Sequence, residues 1–392
     1  MRLLDESPGK RTPKRHVALL IETSNEYARG LLRGIRSYIG EHHSWSLYLN
    51  EHSRGQGVMP WATHWQGDGI IARIENEAVA EYVRQTAVPT VDLSSHRLLP
   101  ELPCLETDDL AIARMAFSHL QERGFKQFAF CGDPRFPWSV HRREHFIQEA
   151  QRAGYPCYVY EVEAQEAWNK EHQAMISWIR ELPKPVGIFV SYDMLGQKLL
   201  DVCRQARVFV PDQAAVISVD NDELLCSLSA PPLSSIIPDT LATGYQAAAL
   251  LDRMMKGEPH QPGITSIPPL DVAPRVSTDV TAVKDPLVAD TVRLIRSHLY
   301  ENISMDKLLT ELPASRRSLE ARFQRALGRT PHRMHMEMKI KLIKQFLTDT
   351  DLTLPYIAER IGFKHAEYMS VLFKRETGMT PNDYRKKVQG DK

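Results

Sequence analysis

The 392-residue chain lacks the sequence signatures of several protein classes. No apolar run approaches the ~18 residues that a membrane span requires. No apolar stretch ahead of a cleavage site follows Met1, so we expect no secretory signal, no membrane partner and a cytoplasmic, nucleoid-associated protein. The five cysteines are odd in number and scattered without a CxxC pair, which argues against a zinc ribbon and a disulfide framework.

Motifs of catalysis are missing as well. The sequence contains no P-loop, GxGxxG turn, HExxH helix or GxSxG elbow. We therefore predict no catalytic residue, no metal ligand and no cofactor, and we expect a protein that is not an enzyme.

The formal net charge of zero conceals an uneven distribution of charge. Residues 285–392 hold 20 Lys and Arg against 14 Asp and Glu, whereas the preceding residues hold 29 against 35. A basic tail on an acidic body favours attraction of the tail to phosphate groups. Solvated basic helices would give the same balance, so this feature alone does not decide between the two interpretations.

Hydropathy patterning divides the chain into two structural classes. Short apolar runs alternate with amphipathic stretches over the first 275 residues, which predicts an α/β body with parallel sheets covered by helices on both faces. The body is long enough for two lobes, assigned to roughly 15–125 with 235–265 and to 126–235, and a strand within 265–279 is expected to close it. The predicted organisation is an N-terminal tail (1–14), a two-lobed periplasmic-binding-protein-like sensor (15–279), a linker (280–286) and an all-α tandem helix-turn-helix domain (287–392).

The helical tail contains two helix-turn-helix patterns, residues 305–323 and 354–373. In the second pattern, Ile357, Ala358 and Ile361 would be buried, and Gly362 would end the first helix in the left-handed conformation. The helix that follows would lie in a DNA major groove. Its predicted base-contacting and phosphate-contacting residues are His365, Glu367, Ser370 and Lys374.

The first pattern repeats this logic. Leu308, Leu312, Leu319 and Phe323 are expected in the core, and Ser315 is expected to cap the second helix. Because arginine reads guanine through O6 and N7, Arg317 is the strongest candidate for a base contact. The full predicted DNA-facing set of this helix is Arg316, Arg317, Glu320 and Ala321. The alternative for both patterns is a helical bundle with solvated basic faces.

The spacing of the two patterns resembles the DNA-binding domain of the arabinose-regulator (AraC/XylS) family over about 100 residues. The matching motifs are Ile357-Ala358 with Gly362-Phe363, Phe373-Lys374 with Gly378, Pro381 and Tyr384-Arg385, echoed in the first unit by Phe323, Gly328 and Pro331. The resemblance implies a transcription regulator that binds double-stranded DNA.

Five stretches of the body resemble the sugar-binding core of the lactose-repressor family. They are residues 23–27, 107–109, 142–146, 192–193 and 219–222. Most of them follow the carboxyl end of a predicted strand, where open α/β sheets bind ligands. The resemblance implies Arg142 and Asp220 as principal partners of sugar hydroxyls, Asp193 and Asn221 as supporting groups, and Tyr27 and Trp138 as stacking faces. Helix capping or core packing remains the alternative role for each.

A lactose-repressor-like body ahead of an arabinose-regulator-like tail resembles the family of bacterial xylose operon regulators. This resemblance implies an activator of pentose catabolic genes that responds to D-xylose, forms a homodimer and has RNA polymerase as a partner. Another pentose would satisfy the same polar groups. A regulator of a different small molecule, or a DNA-binding module fused to an enzymatic body of the alkyl-transfer repair type, remains an alternative. The enzymatic body would need an activated cysteine.

Overall fold

The computed structural model describes residues 14–42, 45–49, 51, 64–162, 168–279, 285–301 and 305–389. These residues form two compact units, divided between residues 281 and 282 and called here the N-terminal and C-terminal units. Most of the predicted tail (1–14) and linker (280–286) lies outside the described residues. Every helix that the structure describes is too short or too polar to cross a lipid bilayer.

The N-terminal unit alternates strands and helices along its described residues. The strands are β1 (His16–Leu20), β2 (Ser46–Tyr48), β3 (Gly69–Ala72), β4 (Thr90–Asp92), β5 (Pro103–Thr107), β6 (Phe128–Gly132), β7 (Cys157–Glu161), β8 (Val186–Val190), β9 (Ala214–Val219), β10 (Ser234–Ile237), β11 (Gly263–Ile267) and β12 (Asp271–Ala273). The helices are α1 (Glu26–Glu41), α2 (Glu77–Thr86), α3 (Asp109–Glu122), α4 (Pro137–Arg152), α5 (Trp168–Glu181), α6 (Asp193–Ala206), α7 (Glu223–Leu228) and α8 (Thr240–Met255).

Two six-stranded sheets organise these elements into two lobes. The first sheet has the order β2-β1-β3-β4-β5-β11 and is parallel throughout. The second has the order β7-β6-β8-β9-β10-β12, and only β12 runs antiparallel to its neighbour. The central strands are buried apolar runs, as parallel sheets covered on both faces require. The predicted two-lobed α/β body is therefore confirmed.

Helices α1 and α8 cover one face of the first sheet and approach each other closely. A Cβ atom on Gly244 would clash with the carbonyl oxygen of Leu31, and one on Gly34 would clash with that of Leu241. Because glycine carries no side chain, the two helix backbones can touch at these positions. Helix α2 packs on the opposite face of the sheet.

Helix α3 packs on the second sheet, although the sequence analysis placed it in the first lobe. The rings of Phe117 and Phe128 lie 4.8 Å apart between centroids, and the Leu120 side chain covers Gly187 of β8. The predicted lobe boundary near residue 125 is therefore wrong, because the chain enters the second lobe directly after Thr107. Alternation predicts that a helix covers a sheet, but both sheets present similar apolar surfaces.

The chain crosses between the lobes three times, after β5, β10 and β11. Neighbouring crossings are joined by backbone hydrogen bonds: the amide of Asp108 donates to Ile267 O (2.8 Å), and that of Leu270 donates to Ile237 O (2.8 Å). A few short connections between two rigid lobes form the arrangement in which a hinge can open and close.

The described residues of the C-terminal unit are helical. The helices are α9 (Pro286–Ser297), α10 (Met305–Thr310), α11 (Arg316–Leu327), α12 (Pro331–Asp349), α13 (Leu354–Arg360), α14 (Ala366–Thr377) and α15 (Pro381–Gln389). Helices α10 and α11 lie in the predicted pattern 305–323 and its continuation, and α13 and α14 lie in the predicted pattern 354–373 and its continuation. Leu312, Leu319, Phe323 and the predicted core of the second pattern are buried, whereas the side chain of Leu308 lies outside the described part of the chain.

Local signals explain why these helices begin and end where they do. Ser315 Oγ accepts from the amide of Ser318 (3.3 Å) and caps α11 as predicted. Gly328, Gly362 and Gly378 have φ values of 67°, 74° and 77°, the left-handed region that terminates a helix and favours glycine. The long helix α12 then contributes side chains to the core of both helix-turn-helix halves.

Candidate ligand cleft and DNA-reading helices

Strand ends from both sheets face each other around a narrow cleft in the N-terminal unit. Its side chains belong to segments that follow or end β1, β3, β4, β5, β6 and β9. The carboxyl edge of an open parallel sheet is where such folds bind ligands. The lining residues are Tyr27, Arg73, Leu93, Ser95, Glu106, Thr107, Trp138, Arg142 and Asp220.

Arg142 is almost fully buried and is held by three neighbours. Its Nε donates to Asp109 Oδ1 (2.8 Å), its Nη1 to Ser191 O (2.6 Å) and its Nη2 to Thr107 Oγ1 (3.4 Å). The guanidinium carbon also lies 4.9 Å from the centroid of the Trp138 ring. Because a guanidinium is a rigid plane with five N–H donors, these bonds fix the direction of the remaining donors.

Arg73 is a second buried cation of the cleft. Its Nη1 donates to Glu22 Oε1, and its Nη2 donates to Glu75 Oε1 (2.5 Å). Burial opposes its charge, but the carboxylates of Glu22 and Glu75 raise the pKa of Arg73 overall. Its guanidinium carbon lies 5.2 Å from the ring centroid of Tyr27, and its buried Nε makes no hydrogen bond within the described residues. A ligand acceptor would satisfy this donor.

Aromatic faces complete the cleft. Trp138 stacks on Phe136 with 4.9 Å between centroids, and Tyr192 meets Trp138 edge-on at 5.6 Å. Burial raises the pKa of the Tyr27 hydroxyl despite the nearby arginines, so this group is neutral at ordinary pH. The cleft thus combines fixed cations, the carboxyl groups of Glu106 and Asp220, and apolar ring faces.

Asp220 reaches the cleft from the loop after β9. Asp220 and Asn221 have φ values of 109° and 49°, a region that non-glycine residues adopt only when their surroundings hold them there. The amide of Asp220 donates to Ile236 O (3.2 Å), and that of Asn221 donates to Ser235 Oγ (3.0 Å). The neighbouring strand β10 therefore fixes the backbone that presents Asp220.

Asp193 and Asn221, which the sequence analysis grouped with these residues, do not line the cleft. Asp193 is buried and accepts hydrogen bonds from the hydroxyls of Ser218 and Ser235 and from the amide of Asp222. Burial and the nearby charge of Asp220 raise the pKa of Asp193. The side chain of Asn221 accepts from Arg275 Nη2 (2.8 Å). Both residues support the loop that carries Asp220.

Three polar residues of the cleft were missed from the sequence. They are Arg73, Ser95 and Glu106. Burial and the nearby Asp109 raise the pKa of Glu106, and the buried Ser95 Oγ makes no hydrogen bond within the described chain. The sequence does contain a signal for Arg73 and Ser95, because Arg73 follows the run 69–72 and Ser95 follows the run 89–93, and both runs have the composition of strands. Glu106 lies in β5, which the sequence analysis did not predict.

In the C-terminal unit, α11 and α14 are the second helices of the two helix-turn-helix patterns. On α14, Glu367 and Lys374 are exposed, as is His365 just before it, whereas Ser370 is half-buried and donates to Ala366 O (2.8 Å). On α11, Arg316, Arg317 and Ala321 are exposed. Glu320 accepts from Arg316 Nε (3.1 Å), so these two predicted DNA-facing residues contact each other.

Fixed contacts hold both reading helices from behind. Arg322 on α11 donates through Nε and Nη2 to the two carboxylate oxygens of Asp285, both at 2.7 Å, which ties α11 to the start of α9. On α14, Glu376 pairs with Arg333 Nη1 of α12 (2.8 Å), which ties the second reading helix to α12. The exposed side chains of each reading helix therefore stand on an anchored backbone.

Comparison with known proteins assigns domains to the same regions. The pattern of the XylR N-terminal domain matches residues 16–109, that of the periplasmic binding protein-like domain matches 117–278, and that of a helix-turn-helix domain matches 308–387. The chain is 34% identical to the xylose operon regulatory protein of Haemophilus influenzae, covering 94% of this chain and 97% of that protein. It is 31% identical to the protein of the same name from Escherichia coli K12, covering 95% and 97%.

Solved structures agree with this assignment. A structure titled as the xylose-binding transcription activator XylR is 30% identical, with a TM-score of 0.82, and the match covers 95% of this chain and 98% of that one. A LacI-type regulator from Alkaliphilus metalliredigens, solved with D-xylulofuranose, is 19% identical with a TM-score of 0.55. This match covers 67% of the chain and shows similarity of fold alone.

Proposed function

The chain belongs to the family of xylose operon regulatory proteins, and from that premise we propose that it is a transcription regulator whose cleft binds D-xylose. The C-terminal unit binds double-stranded DNA, and sugar binding controls that affinity. By analogy with the relative titled a transcription activator, the protein activates pentose catabolic genes.

The chemistry of the cleft carries this proposal. A neutral sugar needs acceptors and donors for its hydroxyls and apolar faces for its C–H groups. Asp220 supplies the acceptor, Arg73 and Arg142 supply charge-assisted donors, and Tyr27 and Trp138 supply the faces. Each arginine is already oriented by other groups, so little conformational freedom is lost on binding. Asp193 and Asn221 act indirectly, by holding the loop that presents Asp220.

On DNA, we assign base contacts to Arg317 and to the exposed residues around His365 and Glu367. Arg316, Glu320, Ala321, Ser370 and Lys374 complete the proposed surface. We propose that closure of the two lobes around the sugar, in a homodimer, repositions the C-terminal units on adjacent sites in the cytoplasm, where RNA polymerase is then recruited. The sensor extends over residues 15–279 and the DNA-binding domain over 287–392 in this proposal.

The enzymatic alternative is disfavoured by the cysteines. An alkyl-transfer enzyme requires a thiolate, but burial raises the pKa of all five thiols, to about 12 for Cys104, Cys157 and Cys203. The relatives that align over nearly the whole chain are also named as regulators.

Calorimetry with the full chain tests the sugar assignment. D-xylose is expected to bind more tightly than D-ribose, L-arabinose or D-glucose. Asp220→Asn keeps a residue that tolerates positive φ but removes the charged acceptor, so the affinity should fall about tenfold to a hundredfold, or ~1.5–3 kcal/mol. Asp201→Asn, on the exposed surface of the same lobe, is the matched control. Equal binding of all four sugars, or none, contradicts the proposal.

The DNA assignment is tested separately by titrating duplexes selected by the protein from a random pool. Affinity should fall steeply with salt concentration, because phosphate contacts release bound counterions. D-xylose should be returned unchanged after incubation, and a chemically altered sugar would favour the enzymatic alternative.

A further inference from the structure

The last described residues of the N-terminal unit, 275–279, precede the link to the C-terminal unit and are called here the exit segment. Ser277 and Thr278 are fully buried within it. Ser277 Oγ donates to Val216 O (2.6 Å), and its amide donates to Pro232 O (2.9 Å). The exit segment is therefore fixed to the core of the second lobe, between β9 and β10.

Arg275 connects the exit segment to the loop beside the cleft. Its Nη2 donates to Asn221 Oδ1 (2.8 Å), and its Nη1 donates to Leu233 O (3.0 Å). Asn221 directly follows Asp220, which lines the cleft. One guanidinium thus spans from the residue next to the sugar site to the start of the exit segment.

Further hydrogen bonds continue this connection along the exit segment. The amide of Arg275 donates to Ser234 Oγ (2.7 Å), and Ser234 Oγ shares a hydrogen bond with Thr278 Oγ1 (2.7 Å). His119 Nε2 also bonds Thr278 Oγ1 (2.8 Å), and Arg123 Nε donates to Thr278 O (2.8 Å). The network is continuous from the half-buried Arg275 to the fully buried Thr278, and it ends one residue before the last described position of the unit.

We propose that Arg275 is the positioning residue that transmits sugar binding from the loop 220–222 to the exit segment. This inference rests on the proposed function above. The loop backbone lies in a conformation that depends on its surroundings, so a ligand bonded to Asp220 changes the balance between loop conformations. Because Asn221 Oδ1 is bonded to Arg275, a shift of the loop changes the hydrogen bonds of Arg275 at the start of the exit segment, and the network along this segment carries the change toward the residues that lead to the C-terminal unit.

The test measures sugar binding and its effect on DNA binding separately, in the full chain. DNA affinity is determined with and without saturating D-xylose, on duplexes selected by the wild-type protein. The ratio of the wild-type DNA affinity with D-xylose to that without it is expected to be about 5 to 150. In Arg275→Ala, the ratio of DNA affinities measured at a D-xylose concentration that saturates the variant should fall below about twofold, although D-xylose still binds, because Arg275 does not line the cleft.

Two further variants separate transmission from a loss of folding. Asn221→Gly removes the acceptor, and glycine adopts the φ of 49° without cost, so its ratio should fall as in Arg275→Ala. Combining the two changes should cause no further loss, since both remove one bond. Arg204→Ala, at an exposed ion pair of the same lobe, should keep the wild-type ratio.

The possible outcomes distinguish the two proposals. If Asn221→Gly or folded Arg275→Ala keeps the same effect of D-xylose on DNA affinity as the wild type, the proposed role of Arg275 is wrong and the proposed function still stands. If the DNA affinity of the wild-type protein does not change with D-xylose, both the proposed function and the role of Arg275 are wrong.

Discussion

The ligand cleft and the DNA-reading helices both depend on arginine, but they hold it differently. Arg142 is 3% exposed and bonded to three groups, whereas Arg317 stands exposed on α11. A buried guanidinium needs several fixed partners because its desolvation is costly. An exposed one remains solvated until its ligand arrives and can adapt to a groove.

The difference shows how one chain meets two recognition tasks. A small neutral sugar offers few contacts, so the cleft must present donors and acceptors already oriented. DNA offers a long charged surface, so the protein needs anchored helices more than anchored side chains. Substitutions in the cleft should therefore disturb folding and binding together, whereas those on the helices should disturb binding alone.

The largest effect is expected when the buried pair between α3 and α4 is broken. Arg142→Ala leaves the buried Asp109 with only the partly exposed His141 as a cationic neighbour (3.7 Å), which should lower the free energy of unfolding by about 3–5 kcal/mol. Arg114→Ala removes the exposed pair with Glu149 between the same two helices and should cost less than about 1 kcal/mol. All six tryptophans precede residue 285, so urea titration followed by tryptophan fluorescence reports on the N-terminal unit. An equal loss of unfolding free energy in the two variants would contradict the distinction between the buried and the exposed ion pair.

A smaller effect is expected from pH. Burial, followed by the charge of Arg123, lowers the pKa of His119 from 6.5 to about 4. The folded pKa lies below the unfolded one, so this stability is complete above pH 6.5 and is lost as the pH falls toward 4. The loss should approach about 2–3 kcal/mol. The free energy of unfolding is measured against pH for the wild type and for His119→Gln, and the difference between the two curves gives this contribution. His260→Gln, on the exposed surface, is the control. A difference that does not change with pH contradicts the prediction.

The smallest effect on folding is expected on the DNA-reading surface. Arg317→Ala should change the free energy of unfolding by less than about 0.5 kcal/mol. It should cost ~1–3 kcal/mol of DNA affinity and relax specificity at one base position. Arg322→Ala, whose arginine is tied to Asp285, should leave base preference unchanged. Selection from random duplexes measures both variants, and an equal loss on every sequence would make Arg317 a phosphate contact.

The sequence by itself determined where the two helix-turn-helix patterns of the C-terminal unit lie. Ser315, Gly328, Gly362 and Gly378 act on backbone conformation within one turn, and this local chemistry is legible without knowledge of distant contacts. The alternation of strands and helices likewise determined the class of the N-terminal unit.

Tertiary structure alone decided which lobe α3 joins and which polar side chains meet in the cleft. Arg73, Glu106 and Asp220 come from three strand ends far apart in the chain. Asp193 and Asn221 carry equally suitable groups, but serines and Arg275 engage them behind the cleft. The residue type determines which hydrogen bonds a side chain is able to form. The packing of distant strands determines which of those bonds are made within the protein and which remain for a ligand.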